Sequence, residues 1–321
     1  MSGVVDVRPV ADDADRATFV RIVNAVTPDE PTSLDYLDWQ DATYPGGDRF
    51  VGTLDGEPVA AASVGRIYVH GPEFDALWAT IGVLPEARRQ GVGSRLLAKV
   101  QAVAAERGKG WLHIPTSEER PEGIAFLERR GFHELERYKI VRLDLAGLEA
   151  PYPGEAVPDG VTLTTLEARP DLVDGVHAVA TATFPDIPSP DEPIAVGDLA
   201  EFRARDVDHL PAWGFIVAVE DAIGEVVGYA SLYEREDGAG VYWHDMTAVL
   251  RRWRGRGLAT ALKAGTIRAA IEHDVVALET GNDVANAPMR AVNARLGYRP
   301  MPDSVTMRGP VAPPGEVTPA V

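Results

Sequence analysis

A self-match at one fixed offset constrains this chain more than any local motif. Val83, Leu84, Arg88, Gly91, Leu96 and Ala98 recur as Val249, Leu250, Arg254, Gly257, Leu262 and Ala264, each 166 positions on. The same offset carries "RRGF", ending at Phe132, onto "RLGY", ending at Tyr298. Two separated landmarks that share an offset without net gaps point to a tandem duplication. The 321 residues suffice for two such copies of about 150 residues, each with its own core.

The stretch "LEAPYPGEAVPDG", Leu148 to Gly160, has three prolines and two glycines between strand-like runs, as a connector would. The expected organisation is therefore one domain over 1–148, a linker over 149–160 and a second domain over 161–321 that ends in a Pro-rich tail. Each half shows the same order of patterns: a strand, two helical stretches, a hairpin, a strand, a helix, a strand, a short helix and a last strand. "YKIVRLDL" is read as the closing strand of the first half and "SVTMRG" as that of the second. The fold class predicted is α/β, an α+β arrangement on a mixed sheet, present twice.

The repeated junctions are "VLPEARRQGVGSRLL" from Val83 and "VLRRWRGRGLATAL" from Val249. In each, a strand ends, turns through arginines and glycines, and opens a helix. Such a turn offers unpaired backbone N–H groups at the positive end of a helix dipole, which suits phosphate. Glycine lets the main chain approach an anion and arginine adds charge. The spacing is Arg-x-x-Gly-x-Gly at Arg88–Gly93 and Arg-x-x-Gly-x-Ala at Arg254–Ala259; it matches neither the P-loop nor the dinucleotide fingerprint.

These two segments resemble the acetyl-CoA pyrophosphate loop of the GNAT superfamily of N-acetyltransferases, and the resemblance extends over nearly the whole chain. It implies two tandem GNAT-like acyl-CoA N-acyltransferase folds that bind acetyl-CoA and release CoA as product. By position, it assigns cofactor binding to Val83, Leu84, Arg88, Arg89, Gln90, Gly91, Val92, Gly93 and Ser94. In the second half it assigns Val249, Leu250, Arg254, Gly255, Arg256, Gly257, Leu258, Ala259, Thr260 and Asn286. Val83 and Val249 would offer an N–H to the acetyl carbonyl, and the pantetheine arm would enter between splayed strands.

Family members often carry a tyrosine acid four residues before the late Gly-aromatic pair, where this chain has Leu127 and Asn293. The second half has more polar equipment: His244 and Asp245 on the strand leading to the acetyl site, then Glu279, Asn282, Asn286 and Asn293. His244, Asp245, Glu279 and Asn293 are the candidate catalytic side chains, with His244 or Asp245 as base. Strand alternation sends those two to opposite faces, so at most one enters the cleft. Structural alternatives stand beside these roles: His244 a satisfied strand histidine, Asp245 the cap of a bulge, Glu279 the partner of a base, Asn286 an N-cap.

The sequence has no cysteine, so an acetyl-cysteine intermediate, a thiolate metal site and disulfides are excluded; no metal is expected. A net charge of −18 disfavours nucleic acid, although it mostly describes a solvated surface. No apolar run nears the about 20 residues that span a bilayer, and the N-terminus does not read as a signal peptide. A cytoplasmic protein is expected, with a monomer favoured because duplication supplies pairing within one chain. The leading reading is direct acetyl transfer from acetyl-CoA to a primary amine of a small molecule in a ternary complex, with the C-terminal half catalytic. The alternatives are a non-catalytic acyl-CoA-binding sensor and a protein N-acetyltransferase.

Overall fold

The computed structural model describes residues 3–148, 156–236 and 238–311. The first part of the proposed linker and the Pro-rich tail lie outside them. The first copy runs β1 (Val5–Pro9), α1 (Asp13–Val26), α2 (Leu34–Thr43), β2 (Asp48–Leu54), β3 (Glu57–Arg66), β4 (Ala76–Val83), α3 (Val92–Glu106), β5 (Trp111–Ser117), α4 (Pro121–Glu128) and β6 (His133–Asp144). The second runs β7 (Val161–Thr165), α5 (Val173–Thr183), α6 (Leu199–Asp206), β8 (Ile216–Glu220), β9 (Val226–Glu234), β10 (Val241–Val249), α7 (Leu258–Glu272), β11 (Ala277–Asp283), α8 (Ala287–Arg295), β12 (Arg299–Pro300) and β13 (Ser304–Pro310).

Local chemistry explains where these elements start and turn. Asp12 caps α1 by accepting from the Asp15 N–H, and Ser33 caps α2 by accepting from that of Tyr36. Between β2 and β3, Asp55 and Gly56 have φ of 51° and 88°, the left-handed pair that a two-residue hairpin turn needs.

Packing divides the chain into two units, one built from residues up to Arg137 together with those from Ser304 onward, the other from Tyr138–Asp303. The contiguous division at 148–160 therefore misassigns one strand of each half. β13, expected to close the second sheet, pairs antiparallel with β5 of the first unit, from Ser304↔Ser117 to Pro310↔Trp111. Tyr138–Asp144 of β6, expected to close the first, pairs antiparallel with β11 of the second. The strands are exchanged. Pattern alone could not reveal this, because an apolar-alternating strand fits either of two homologous edges.

In the first unit β1, β2, β3 and β4 form an antiparallel run, and β4 then lies parallel to β5. α3 and α4 cover one face around Leu96, Val100, Ala79, Leu112 and Phe132; α1 and α2 cover the other around Phe19, Ile22 and Val51. The second unit repeats this with β7, β8, β9, β10 and β11. α5 and α6 pack on one face around Phe202, Phe215 and Tyr229. α7 packs on the opposite face around Ile267, Leu278 and Leu262.

Candidate active site

The two glycine-arginine junctions fold alike to within a few degrees. Gly91 and Gly257 sit at the N-caps of α3 and α7 with φ of 89° and 87°. A side chain there would be strained, although nothing lies within 4 Å of the place a Cβ would take. The first N–H to find an acceptor within each helix is that of Arg95 on Gly91 O and of Ala261 on Gly257 O, both at 3.1 Å. The preceding N–H groups, Gly91 to Ser94 and Gly257 to Thr260, have no acceptor within their helix. Arg88 Nε donates to Val83 O at 3.1 Å and Arg254 Nε to Val249 O at 2.9 Å, the same clasp in both copies.

The final motif position tolerates its difference. A Cβ on Gly93 would meet Phe126 and Val83 at 3.6 Å, ordinary contact, so Ala259 in the second loop costs nothing in space. Arg89 has φ 64° where the second copy has Gly255 at 73°. Charge is distributed differently. In the first loop Arg130 donates to Ser94 Oγ at 2.8 Å, placing a cation at the helix N-terminus, where only an anion relieves the dipole. In the second, Asp186 holds Arg251 and Arg254 and is itself pulled down to about 2 by those guanidinium groups, Arg251 foremost.

Beside each loop the parallel strands part. β4 pairs with β5 only over Ala76–Trp78, and β10 with β11 only over Val241–Trp243. Beyond those pairs neither pair of strands is joined by ladder hydrogen bonds. The Leu84 N–H is bonded to Val59 O and that of Leu250 to Val227 O, both 2.9 Å. Alternation then turns the N–H of Val83 and of Val249 into the slot. The amides of Leu84 and Leu250 are thus engaged within the sheet, whereas those of Val83 and Val249 are not.

The halves diverge on the strand that leads there. In β10 the register against β9 shifts between His244 and Thr247, so Asp245 and Met246 together oppose Ser231. Ser231 Oγ donates to Asp245 Oδ2 at 3.2 Å, and the Met246 N–H donates to Ser231 Oγ at 3.3 Å. Asp245 is open to solvent yet hemmed in by protein, and that desolvation raises its carboxyl above the usual range. On α6, Asp206 is pushed up to about 6, chiefly by burial and then by the charge of Asp245. Asp206 was not foreseen; no spacing in "RARDVDHL" marks it. In β4 the register is unbroken and Thr80, the counterpart of Asp245, merely shares a 2.7 Å hydrogen bond with Ser63.

His244 points the other way. It is fully buried, with Nδ1 3.1 Å from Tyr298 Oη and Nε2 3.2 Å from Thr266 Oγ1. Burial holds it well below the ordinary histidine range, with Lys263 adding to the effect. Both of its ring nitrogens are engaged inside the protein, the arrangement of a satisfied strand histidine. Glu279 is 4% exposed and bridged to Arg142 at 2.6 Å and Arg235 at 3.1 Å, as the partner of basic groups. Asn286 caps α8 through the Met289 N–H at 3.3 Å. Asn293 is buried; its amide donates to Asn282 Oδ1 at 2.6 Å, while its own Oδ1 has no partner. A buried carbonyl oxygen without a donor suits a ligand N–H.

Strand–loop–helix anion cradles beside parallel strands that part occur in both halves, and the sequence comparison finds one family in both. The model of the "Acetyltransferase (GNAT) family" matches residues 15–132 and again 177–298, so the chain belongs to that family, twice over. It is therefore an acetyl-transferring acyltransferase of tandem GNAT construction. Among curated relatives it is 28% identical to the mycothiol acetyltransferase of Actinosynnema mirum over 225 residues, 69% of this chain and 71% of that one. It is 26% identical to that of Amycolatopsis mediterranei, over 79% of this chain and 82% of that one. Two solved structures share the fold across its length. One is a tandem GNAT protein from the clavulanic acid biosynthesis pathway, with TM-score 0.74 and 20% identity, covering 97% of this chain and 99% of that one. The other is a GCN5-related N-acetyltransferase from Sphaerobacter thermophilus, with TM-score 0.73 and 19% identity, covering 96% of each chain.

Both cradles fit acetyl-CoA on this chain's own features: free N–H groups at glycines that keep the approach open, and slots with inward N–H groups at Val83 and Val249. Among the described residues no helix is long and apolar enough to cross a membrane, and no group of metal-binding side chains occurs.

Proposed function

We propose that this protein transfers the acetyl group of acetyl-CoA directly to a primary amine of a small molecule, and that the C-terminal half performs the chemistry. The observation that carries this reading is the bulge at Asp245–Met246, which presents a solvent-accessible carboxylate on the strand ending at Val249. The equivalent strand of the first half presents only Thr80.

When bound, acetyl-CoA supplies an activated acyl group on a thiol leaving group. The N–H groups of Arg256 to Thr260 would hold the pyrophosphate in the second half, and those of Gln90 to Ser94 in the first. The Val249 N–H would stabilise charge that develops on the acetyl oxygen. Asp245 takes the proton from the acceptor ammonium, directly or through water, and its raised carboxyl is a stronger base than an exposed aspartate. Asp206 adds negative potential that draws in a cationic amine. The first half binds acetyl-CoA and serves mainly as scaffold.

A second reading places the acceptor with that of the relatives named mycothiol acetyltransferase, and it is favoured by matches that run through both halves. The test is thiol release from acetyl-CoA with a panel of small amines that includes that acceptor, together with a count of CoA bound per chain. Amine-dependent turnover supports the enzyme; tight CoA binding with no turnover on any amine would make the chain an acyl-CoA sensor.

A further inference from the structure

On the face of the second sheet that α5 and α6 cover, three polar groups stand together. Tyr229 and Ser231 alternate onto that face of β9, Tyr229 beside Ala248 and Ser231 opposite the bulge of β10. The bulge turns Asp245 to the same side, where it accepts from Ser231 Oγ. α6 packs Phe202 into the cluster that holds Tyr229, and Asp206, one turn further along, lies on that side of the helix. The ladder gives the counterparts in the first unit. Ala60 pairs with Val83 as Gly228 pairs with Val249, so Ala61 takes the place of Tyr229 and Thr80 that of Asp245. Ala61 is buried among Phe19, Ile22 and Leu37. The fold closes there without a phenol or a carboxylate, so architecture alone does not call for them in the second unit.

Nothing within the protein neutralises this group. Tyr229 is 1% exposed and its ring stacks on Phe215 with centroids 5.4 Å apart, yet its hydroxyl has no hydrogen-bond partner among the described residues. No cation among the described residues bridges Asp245, and Asp206 has Arg205 Nε at 3.9 Å, the limit of an ion pair. Carboxylates elsewhere in this unit are clasped closely, Asp186 by Arg254 at 2.8 Å and Glu279 by Arg142 at 2.6 Å. Asp206 and Asp245 instead act on each other. Burial, then the charge of Asp245, pushes Asp206 up to about 6. Burial and then the two carboxylates keep the Tyr229 phenol protonated. Neighbouring carboxylates beside an unused buried hydroxyl are costly until a cation joins them.

We propose that the acceptor carries two cationic nitrogens: Asp245 deprotonates the one that is acetylated, and Asp206 with the Tyr229 hydroxyl holds the other. This rests on the C-terminal half being the catalytic one. An ammonium brings three N–H donors, and the carboxylate and the phenol oxygen accept them. The second nitrogen keeps its charge throughout, so Asp206 moves no proton and is a positioning residue. The Asp206 side chain is 34% exposed, open enough to meet a ligand. A monoamine would leave Asp206 and Tyr229 unanswered, and a site built to pair a polar group rejects the analogue that lacks it.

The test compares α,ω-diaminoalkanes, propane to pentane, with the amino alcohols in which a hydroxyl replaces one amine. At about pH 8 the diamines are doubly charged and Asp206 is ionised. In the wild-type protein the best diamine should exceed its amino alcohol in kcat/KM by about 10- to 100-fold, well beyond the statistical doubling from two equivalent amines, and the gain should lie in KM. Asp206→Asn should reduce the preference to that doubling, Asp206→Glu should restore part of it, and Tyr229→Phe should lower it several-fold. CoA binding, measured on each variant, reports that the fold is intact. Calorimetric binding of the diamine to the CoA-loaded protein needs no turnover. Asp206-dependent binding in a chain that acetylates no amine supports the two-cation seat while sinking the proposed activity. Turnover without a diamine preference, or a preference that survives Asp206→Asn, overturns the inference and leaves the activity standing. A wild-type protein that neither binds nor acetylates any of the diamines overturns it as well.

Discussion

Asp245 and His244 are neighbours in the chain and opposites in the fold, and their substitutions should separate accordingly. Asp245→Asn keeps the shape and removes the base, so kcat with a reactive amine should drop about 10²- to 10⁴-fold while CoA affinity holds. Because desolvation by the surrounding protein raises its carboxyl, activity should fall as pH drops through that raised value, and the fall should disappear in the Asn variant. His244→Leu should instead lose about 1–3 kcal/mol of stability, from partners stranded at Thr266 and Tyr298, and keep the acid limb of the pH profile. Lys263 adds a linkage. Its folded value, about 7, lies below its unfolded one, so between them the unfolded chain binds more protons. Wild-type stability should therefore rise as pH goes from about 7 to about 10.4 and level off above, a slope that Lys263→Met removes in pH-dependent thermal melts. The alternation rule correctly divided the His-Asp pair, but which member faced the cleft depended on the sheet face that α7 covers. Sequence spacing does not record that.

At the scale of elements, the loops were the most legible part of the chain. Glycine is needed where φ is positive, arginine where a carbonyl of the preceding strand is to be clasped, and both demands leave their residues in the sequence at Gly91, Gly257, Arg88 and Arg254. Gly257→Ala should cost about 1 kcal/mol of stability through left-handed strain and weaken CoA binding at one of two sites, read as a change in one calorimetric step. The bulge in β10 was legible only as the structural alternative for Asp245, since one extra residue in a strand leaves the alternation on either side of it plausible. Asp206 was hidden for a related reason: its value of about 6 comes from crowding and from a carboxylate 39 positions away in the chain, and neither has a local signature.

For the whole molecule, the duplication was visible and the strand exchange was not. Identical edges accept either closing strand, and the pattern of "SVTMRG" is equally good for both. The exchange predicts which fragments fold. Residues 138–303 contain the complete second sheet, with Tyr138–Asp144 on β11, whereas residues 161–321 lack that strand. The first fragment should show a cooperative thermal transition and dispersed amide signals, and the second should aggregate or melt gradually. The reverse result would mean that β13 can close its own half.

The unequal division of labour between two matching cradles is tested most directly by comparing kcat of Asp245→Asn with that of Thr80→Val, the change at the corresponding place in the first half, on one acetylated amine. Asp245→Asn should lose at least a hundredfold and Thr80→Val should remain within about twofold of wild type, with both still binding CoA. Full activity in Asp245→Asn together with a collapse in Thr80→Val would move the chemistry to the N-terminal half and contradict the account.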